Sequence, residues 1–188
     1  MSSSGIPIIE TKRLLLRPPT TDDLDAWTAR IFADPVVTRF VPSRITEPRA
    51  RAEGMLSFVR DTWAQRGYGE WIVTDKTDGQ LLGHCGMAYL ATTDEIEVDY
   101  AFATPYWGQG IATEALRASL RFAFEETQIE HLIGLVVPEN TASRRVLVHN
   151  GFVYQRDAPY FGLTMAYHTL ARQDFRTTDT FYRLYHKQ

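Results

Sequence analysis

The chain has 188 residues, and its 23 acidic and 20 basic side chains give a formal net charge of -3. Hydrophobic residues make up 44% and charged residues 23% of the chain, a balance that excludes a disordered, fibrous or membrane-embedded protein. Acidic and basic residues are mixed along the sequence without a basic arm, which excludes direct nucleic-acid binding through bare charge. The length fits one folded unit, so we expect a single domain over residues 1–188 that is a monomer or a homodimer.

Cysteine usage and the N-terminus indicate the compartment. Cys85 is the only cysteine, so the chain forms no internal disulfide, and no cluster with zinc-ligand spacing exists. The N-terminus lacks a basic segment followed by an apolar run, and no window reaches the roughly 18 apolar residues of a membrane span. We therefore expect a cytoplasmic protein without a metal and without membrane contact.

The first half of the chain alternates between β-rich and helical stretches. A β-rich stretch closes at Pro18-Pro19, where the ring removes a ladder donor, and Thr20-Thr21-Asp22 then supplies helix N-cap chemistry. Alternation of apolar and polar residues predicts strands, and apolar residues three and four apart predict helices. The predicted elements are a strand over Ile8–Arg17, helices over Thr20–Phe32 and Thr46–Arg66, and strands over Gly69–Asp75, Gln80–Leu90 and Asp94–Ala103.

At the start of the second half of the chain, the spacing of apolar residues changes from that of a strand to that of a helix. An apolar stripe from Trp107 to Glu126 predicts a long amphipathic helix, and the continuous apolar run from His131 to Val137 is typical of a strand buried on both faces. The remaining predicted elements are a helix over Asn140–Asn150 that Gly151 ends, strands over Phe152–Arg156 and Leu163–Leu170, and a short helix within the tail Thr177–Gln188. Together these elements predict one mixed α/β domain.

The richest local signal is Thr104-Pro105-Tyr106-Trp107-Gly108-Gln109-Gly110-Ile111-Ala112-Thr113-Glu114, which lies between a predicted strand and a predicted helix. Glycines let the backbone approach a ligand closely, and the first amides of a helix have no internal acceptor, so such a turn suits a phosphate. The loop lacks the Gly-Lys-Ser/Thr of a nucleoside triphosphate site, and Thr113 occupies the third glycine position of a dinucleotide fingerprint. On these residues alone, two structural glycines explain the pattern equally well.

The same stretch resembles the pyrophosphate loop of the Gcn5-related N-acetyltransferase (GNAT) superfamily, Q/R-x-x-G-x-G/A, with Gly110 and Ala112 in the last two positions. Trp107 replaces the usual glutamine or arginine. This replacement matches the W-G-x-G-x-A-T-E-A version in the ribosomal-protein N-terminal acetyltransferases, the RimJ/RimL-type subfamily. The block from Val137 to Phe152 is similar to that subfamily's N-x-x-S-x-x-V-L-x-K-x-G-F, with His149 in place of lysine.

The start of the chain also resembles the subfamily, because Thr11-Lys12-Arg13-Leu14-Leu15-Leu16-Arg17 matches its T-x-R-L-x-L-R opening. The resemblance implies an α/β (α+β) fold with a mostly antiparallel central sheet, a splayed parallel pair of strands in its middle and helices on both faces. It also implies acetyl-coenzyme A as cosubstrate, no metal, and a primary amine as acceptor, either a protein N-terminal α-amine or a small molecule.

The resemblance further implies how acetyl-coenzyme A is held. Backbone groups would bind the pantetheine arm as an added strand would, and the loop amides would bind the pyrophosphate, with Gln109 as a further donor. A backbone amide near Ala103 would polarise the thioester carbonyl. The implied contact residues are Phe102, Ala103, Thr104, Trp107, Gly108, Gln109, Gly110, Ile111, Ala112, Thr113, Asn140 and Ser143.

Acetyl transfer to an amine needs a base, because only the neutral amine attacks, and a lysine-like amine with a pKa of about 10.4 needs it more than an α-amine of about 8. Glu97 is the first candidate, although its alternation with apolar residues is also typical of an exposed strand position. His84 and Glu70 are alternative bases, and His84 is equally typical of a packed, hydrogen-bonded histidine. Ser143 is the candidate donor to the leaving thiolate, or else it satisfies amides at a helix start.

Three functions are compatible with these observations. The first is an N-acetyltransferase that works by direct attack of the amine, and the titratable Glu97 and His84 favour it. The second is a non-catalytic module that binds acetyl-coenzyme A as a sensor or partner. The third is an interaction domain in which both glycine turns are structural. The identity of the acceptor amine stays open, because acceptor sites are built from variable loops.

Overall fold

The computed structural model describes residues 5–41, 46–177 and 180–186. Within these ranges the strands are β1 Ile8–Thr11, β2 Leu14–Arg17, β3 Glu70–Asp75, β4 Leu81–Leu90, β5 Glu95–Phe102, β6 His131–Val136, β7 Val153–Tyr160, β8 Leu163–Ala171 and β9 Tyr182–Tyr185. They form one sheet in the order β7-β8-β6-β5-β4-β3-β2-β1-β9. Adjacent strands are antiparallel except for β5 and β6, which run parallel. The mixed α/β architecture that the sequence predicts is confirmed.

Helices cover both faces of this sheet. The described helices are α1 Leu24–Trp27, α2 Pro35–Thr38, α3 Pro48–Arg66, α4 Ile111–Arg121 and α5 Thr141–His149. A π-helical turn over Phe122–Glu126 extends α4, and the two segments together account for most of the helix predicted after Trp107. Helix α4 connects β5 to β6, as a crossover between parallel strands requires.

The first strand of the prediction is wrong in one respect, because Ile8–Arg17 forms a hairpin of two strands. Ile9 pairs with Leu16 across the hairpin. The Thr11 hydroxyl accepts the Leu14 N–H at 3.0 Å and closes the turn. A hairpin with a two-residue turn keeps the alternation of a single strand, so periodicity alone does not separate the two structures.

The C-terminal tail also differs from its prediction. Tyr182–Tyr185 is strand β9, not a helix, and it pairs with β1 along its whole length. Of the predicted helical tail, residues 178–179 and 187–188 lie outside the described residues. A four-residue strand of sequence Tyr-Arg-Leu-Tyr has too short a pattern to be distinguished from one helical turn.

The two faces of the sheet build separate halves of the core. Helix α4 packs Leu116 against the face that carries Val98 and Phe102. On the opposite face, Trp27 of α1 packs with Ile72. None of the described helices is long and apolar enough to cross a membrane.

Close strand packing at Gly83 gives a first prediction. A Cβ at this position would lie 2.1 Å from the Ala101 carbonyl oxygen and 2.8 Å from Phe102 Cα. Because these are backbone atoms, Gly83→Ala should lower the free energy of unfolding by about 1–3 kcal/mol. Urea unfolding measures the change, and Gly5→Ala is the control because a Cβ there would have no neighbour within 4 Å. Equal stability of both variants would contradict the packing described.

Candidate functional site

A gap in the middle of the sheet organises the candidate site. The parallel strands β5 and β6 are paired at Glu97 and Ile133, and beyond this pair they diverge toward their carboxyl ends. A cavity of about 700 Å³ occupies the gap and reaches both faces of the sheet. Its walls are the end of β5, the start of α4, the start of α5, the segment after α2 and the β7–β8 turn.

The start of α4 forms a cup of backbone amides at one end of this cavity. Gly108 and Gly110 adopt left-handed conformations with φ of 73° and 75°, which glycine accepts at low cost. The first backbone bond of the helix runs from the Glu114 N–H to the Gly110 carbonyl at 3.0 Å. The preceding helical amides have no intrahelical acceptor, and the helix dipole adds positive potential, so the cup suits an anion.

An N-terminal clamp holds this cup in place. The Glu114 carboxylate accepts hydrogen bonds from the Thr11 hydroxyl at 2.7 Å, the Arg13 amide at 3.0 Å and Arg13 Nε at 2.6 Å. The Arg13 guanidinium also donates to the Gln109 carbonyl at 2.9 Å. Sequence reasoning identified the motifs that contain Thr11, Arg13 and Glu114 but not their contact. The two motifs are about 100 residues apart, and only the fold brings them together.

Two side chains of the loop donate hydrogen bonds to nearby backbone carbonyl groups. Gln109, expected as a side-chain donor to a ligand, gives its Nε2–H to the Pro105 carbonyl at 2.7 Å and does not line the cavity. Trp107 does line the cavity, and its indole N–H donates to the Phe102 carbonyl at 2.6 Å. The tryptophan therefore occupies the last carbonyl group of β5, whereas the backbone amides of the cup stay available to a ligand.

The backbone of β5 presents donors to the gap, but not at Ala103. The Ala103 N–H donates to the Leu82 carbonyl on β4 at 2.9 Å, so it faces away from the gap. Because backbone groups alternate in direction along a strand, the amide of Phe102 points to the gap side. Thr104 lies outside the cavity wall, and its hydroxyl donates to Asp34 at 3.2 Å.

Helix α5 brings a serine hydroxyl to the cavity. The Asn140 side chain caps the helix by accepting the Ser143 N–H at 3.2 Å. The Ser143 hydroxyl is thereby free of capping and lies 2.8 Å from the hydroxyl of Tyr100 on β5. Burial raises the pKa of Tyr100, so its phenol keeps its proton. Tyr100 was not among the candidate residues of the sequence analysis, because its spacing from Ser143 contains no signal of this pair. His149, in place of the usual lysine, lines the cavity at the end of α5.

Two carboxyl groups of β5 line the cavity on the other side of the sheet. Glu97 and Asp99 alternate with the residues that face α4, so both point to the opposite face. Burial, and then the neighbouring Asp99, raises the pKa of Glu97 well above its ordinary value, although Leu135 N–H donates to its carboxylate. Burial raises the pKa of Asp99 to about 6. The pKa of Asp99 therefore lies close to neutral pH, where an acid–base group is effective.

The other candidate bases lie outside the cavity wall. His84 is 3% exposed, and its Nδ1 accepts the Trp27 indole N–H at 2.9 Å. Burial lowers the pKa of His84 to about 3, so the ring is neutral. Glu70 is 1% exposed and lies behind Asp99. Among the described residues, Glu70, His84 and Asp99 are also the one group whose oxygen and nitrogen atoms lie close enough together to consider a metal ion.

The apolar part of the wall lies beside the two carboxyl groups. It comes from the segment around α2 and from the β7–β8 turn, and Arg39 lies within it. The apolar residues are Val37, Phe40, Val41, Phe161 and Met165. The arrangement thus offers an anion cup at one end, a hydroxyl pair near the gap, and a base beside an apolar wall at the other end.

Comparisons with known proteins agree with this geometry. Residues 13–153 match the family described as acetyltransferase (GNAT) domain. YkkB from Bacillus subtilis, an uncharacterized protein, is 34% identical over an alignment of 153 residues, and the match covers 78% of this chain and 85% of YkkB. The crystal structure of an acetyltransferase from Agrobacterium tumefaciens has a TM-score of 0.79 at 25% identity, covering 88% of this chain and 95% of that one. RimJ from Mycobacterium smegmatis, solved with CoA-disulfide, shares the fold with a TM-score of 0.78 at 20% identity, covering 92% and 90%.

The clamp on Glu114 gives a pH-dependent prediction. Burial raises the pKa of Glu114, but the hydrogen bonds from Thr11 and Arg13 outweigh it, so the pKa falls below 4.5. A lowered folded-state pKa stabilises the protein above the unfolded pKa, and this contribution is lost as the pH falls through the folded pKa. Glu114→Gln should therefore lower the free energy of unfolding by about 1 kcal/mol at pH 7 and by less below the ordinary carboxyl pKa.

Urea unfolding at pH 7 and at acidic pH measures both values. Glu53→Gln is the matched control, because Glu53 also pairs with an arginine but on the exposed surface of α3, where such pairs contribute little. If Glu114→Gln lowers the free energy of unfolding equally at both pH values, the clamp described here is contradicted.

Proposed function

This chain belongs to the acetyltransferase (GNAT) family, and from that premise we propose that it transfers the acetyl group of acetyl-coenzyme A to a primary amine by direct attack. The amine is a peptide α-amine or a small-molecule amine. The observation that carries the proposal is one continuous cavity, which connects the amide cup of α4 with the buried carboxyl pair of β5 through the gap in the sheet. A thioester donor and an amine acceptor can therefore meet from opposite faces.

The cup and the gap suit the two parts of coenzyme A. A diphosphate matches the free amides of Ile111, Ala112 and Thr113 at the start of α4. An amide-bearing pantetheine arm can pair with the Phe102 amide and with the edge of β6, as an added strand would. Support for the ligand comes from RimJ of Mycobacterium smegmatis, which shares the fold and was solved with CoA-disulfide. Asn140 and Ser143 line the same cavity.

The proton transfers follow from the residues on each side of the gap. The carboxyl pair of Glu97 and Asp99 takes one proton from the ammonium group, and the neutral amine attacks the thioester carbon. A new C–N bond forms as the C–S bond breaks, and the remaining extra proton of the amine goes to the thiolate. We assign the hydrogen bond to the leaving sulfur to Ser143, whose hydroxyl is backed by the protonated Tyr100.

A sensor that only binds acetyl-coenzyme A is the alternative function. The buried carboxyl pair weighs against it, because buried acids are costly and a sensor has no proton to remove. The apolar wall beside the pair is consistent with an acceptor whose amine carries an apolar group. An acceptor screen distinguishes the two functions. It follows thiol release from acetyl-coenzyme A with 2-phenylethylamine, phenylalaninamide, spermidine and peptides that have a free α-amine. Tight binding of acetyl-coenzyme A without thiol release for any amine would favour the sensor.

Gly110 gives a prediction for cofactor binding. Gly110→Val should weaken acetyl-coenzyme A binding by about tenfold or more, because a β-branched residue is strained at φ 75° and the loop amides must move. Calorimetry with acetyl-coenzyme A measures the affinity. Gly79→Val is the control, because Gly79 has a φ of 73° in a turn remote from the cup. Equal affinities of the two variants would contradict the placement of the diphosphate.

The carboxyl pair gives a prediction for turnover. Replacing both groups, Glu97→Gln with Asp99→Asn, should lower kcat for 2-phenylethylamine at pH 7 by roughly 100- to 10,000-fold. The loss should be smaller for phenylalaninamide, because an α-amine has a lower pKa and needs the base less. Calorimetry should show unchanged affinity for acetyl-coenzyme A. A double variant with the turnover of the native protein would remove the base from this pair.

A further inference from the structure

Two carboxyl groups face each other across strand β4. Glu70 pairs with Gly86, and Gly86 pairs with Asp99, so the three residues share one row of the sheet. The middle residue has no side chain, and the two carboxyl groups therefore approach each other above it. His84 lies two residues before Gly86 and points to the same face.

Glu70 lies in an environment that does not suit an ionised carboxylate. It is 1% exposed, and neither of its carboxyl oxygens has a hydrogen-bond partner among the described side chains and backbone. Its polar neighbours are His84 and Asp99, and the ligand atoms of the three groups lie within 4.8 Å of one another. A buried charge without a partner is strongly unfavourable, so this carboxyl group must bind either a cation or a proton.

The orientation of His84 decides whether Glu70 binds a cation or a proton. An indole N–H can only donate, so the bond from Trp27 makes Nδ1 of His84 an acceptor. The proton of the neutral ring is then on Nε2, which lies 3.9 Å from Glu70 Oε2. A metal ion would need the lone pair of this nitrogen, whereas a protonated carboxyl group tolerates the N–H. The geometry therefore favours a proton on Glu70.

We propose that Asp99 is the carboxylate that accepts the proton of the acceptor amine. Glu70 is then a positioning residue, which donates a hydrogen bond to Asp99 from the side away from the cavity. This inference rests on the proposed function and assigns the base within the pair of β5. A rotation of the Glu70 carboxyl group, or one bridging water, spans the separation of the two groups. After the transfer, Asp99 releases its proton into the cavity that it lines.

The surroundings of the two groups divide their roles. Glu70 is closed off from the cavity wall, whereas Asp99 is part of it. Glu97 shares the wall with Asp99 but lies in the gap, where Leu135 N–H donates to it. The pKa of Asp99, raised by burial to about 6, leaves it ionised at neutral pH. The titratable and charged groups around Asp99 are Glu97, Tyr100, His84, Cys85, Glu70 and Arg39.

The pH dependence of kcat/KM with acetyl-coenzyme A and 2-phenylethylamine tests the inference. Asp99→Asn should lower kcat by roughly 100- to 10,000-fold and abolish the acidic limb of the profile. Glu70→Gln keeps a neutral donor behind Asp99, so the acidic limb should stay near the native position. Glu70→Met removes the donor at similar volume, so the limb should move up by about one pH unit, because the ionised form of Asp99 loses a hydrogen bond.

Other outcomes overturn the inference. A downward move of the acidic limb in Glu70→Gln would mean that Glu70 is ionised in the native protein, because its charge would then have opposed the ionisation of Asp99. Unchanged profiles in both Glu70 variants would make Glu70 merely structural. If Glu70→Met fails to fold, Glu70→Leu takes its place, because leucine also removes the donor and should move the limb in the same direction. Stoichiometric binding of Zn²⁺ or Mn²⁺ in calorimetry, lost in Glu70→Gln, would assign the group to a metal instead.

An infrared measurement separates this inference from the proposed function. The native protein at neutral pH should show the C=O stretch of a protonated carboxylic acid, and Glu70→Gln should reduce this band. The measurement needs no acceptor and no turnover. If the band is reduced in the variant but no amine of the screen is acetylated, the proposed function fails and the proton on Glu70 stands. If the native protein is active but the band is the same in Glu70→Gln, the inference fails alone.

Discussion

The functional architecture depends on the incomplete pairing of β5 with β6. Among the described residues the two strands are paired at Glu97 and Ile133, and the divergence beyond that point leaves backbone donors and acceptors unpaired inside the molecule. Unpaired strand edges normally attract other strands, which is a hazard at a protein surface. Here the free edges face an internal cavity, where an extended ligand can pair with them. Strand β5 carries the carboxyl pair and Tyr100, and it leads into the cup at the start of α4. Strand β6 leads into α5, which carries Ser143.

The electrostatics of the cavity assign opposite charges to its two ends. The start of α4, with Arg13 beside it, provides positive potential without a buried charge. The other end carries Glu97 and Asp99, whose pKa values are raised by burial. Under the proposed function, a polyanionic donor and a cationic amine would be drawn to different ends, which would favour a productive orientation of both substrates. The amine would then lose its charge at the same end that attracts it.

Local patterns predicted most of the fold and the cup. The helix after Trp107 and the strands of the meander have long periodic patterns, and Gly108 and Gly110 lie at the predicted turn between a strand and a helix. The sequence could not show contacts across strands. The pairing of Glu70 with Gly86 and Asp99, and that of Tyr100 with Ser143, depend on register and on the divergence of β5 and β6. Short elements were also missed, because a four-residue strand contains less than one clear period.

The last strand has a consequence for the far side of the molecule. β9 covers β1 through backbone pairing and through the ion pair of Arg183 with Glu10 at 2.6 Å. The next residue of β1, Thr11, binds Glu114 at the cup. Removal or displacement of β9 would leave β1 as an unpaired edge and loosen the support of the amide cup, although no residue of β9 lines the cavity. Strand β9 thus stabilises the amide cup at a distance, through its pairing with β1.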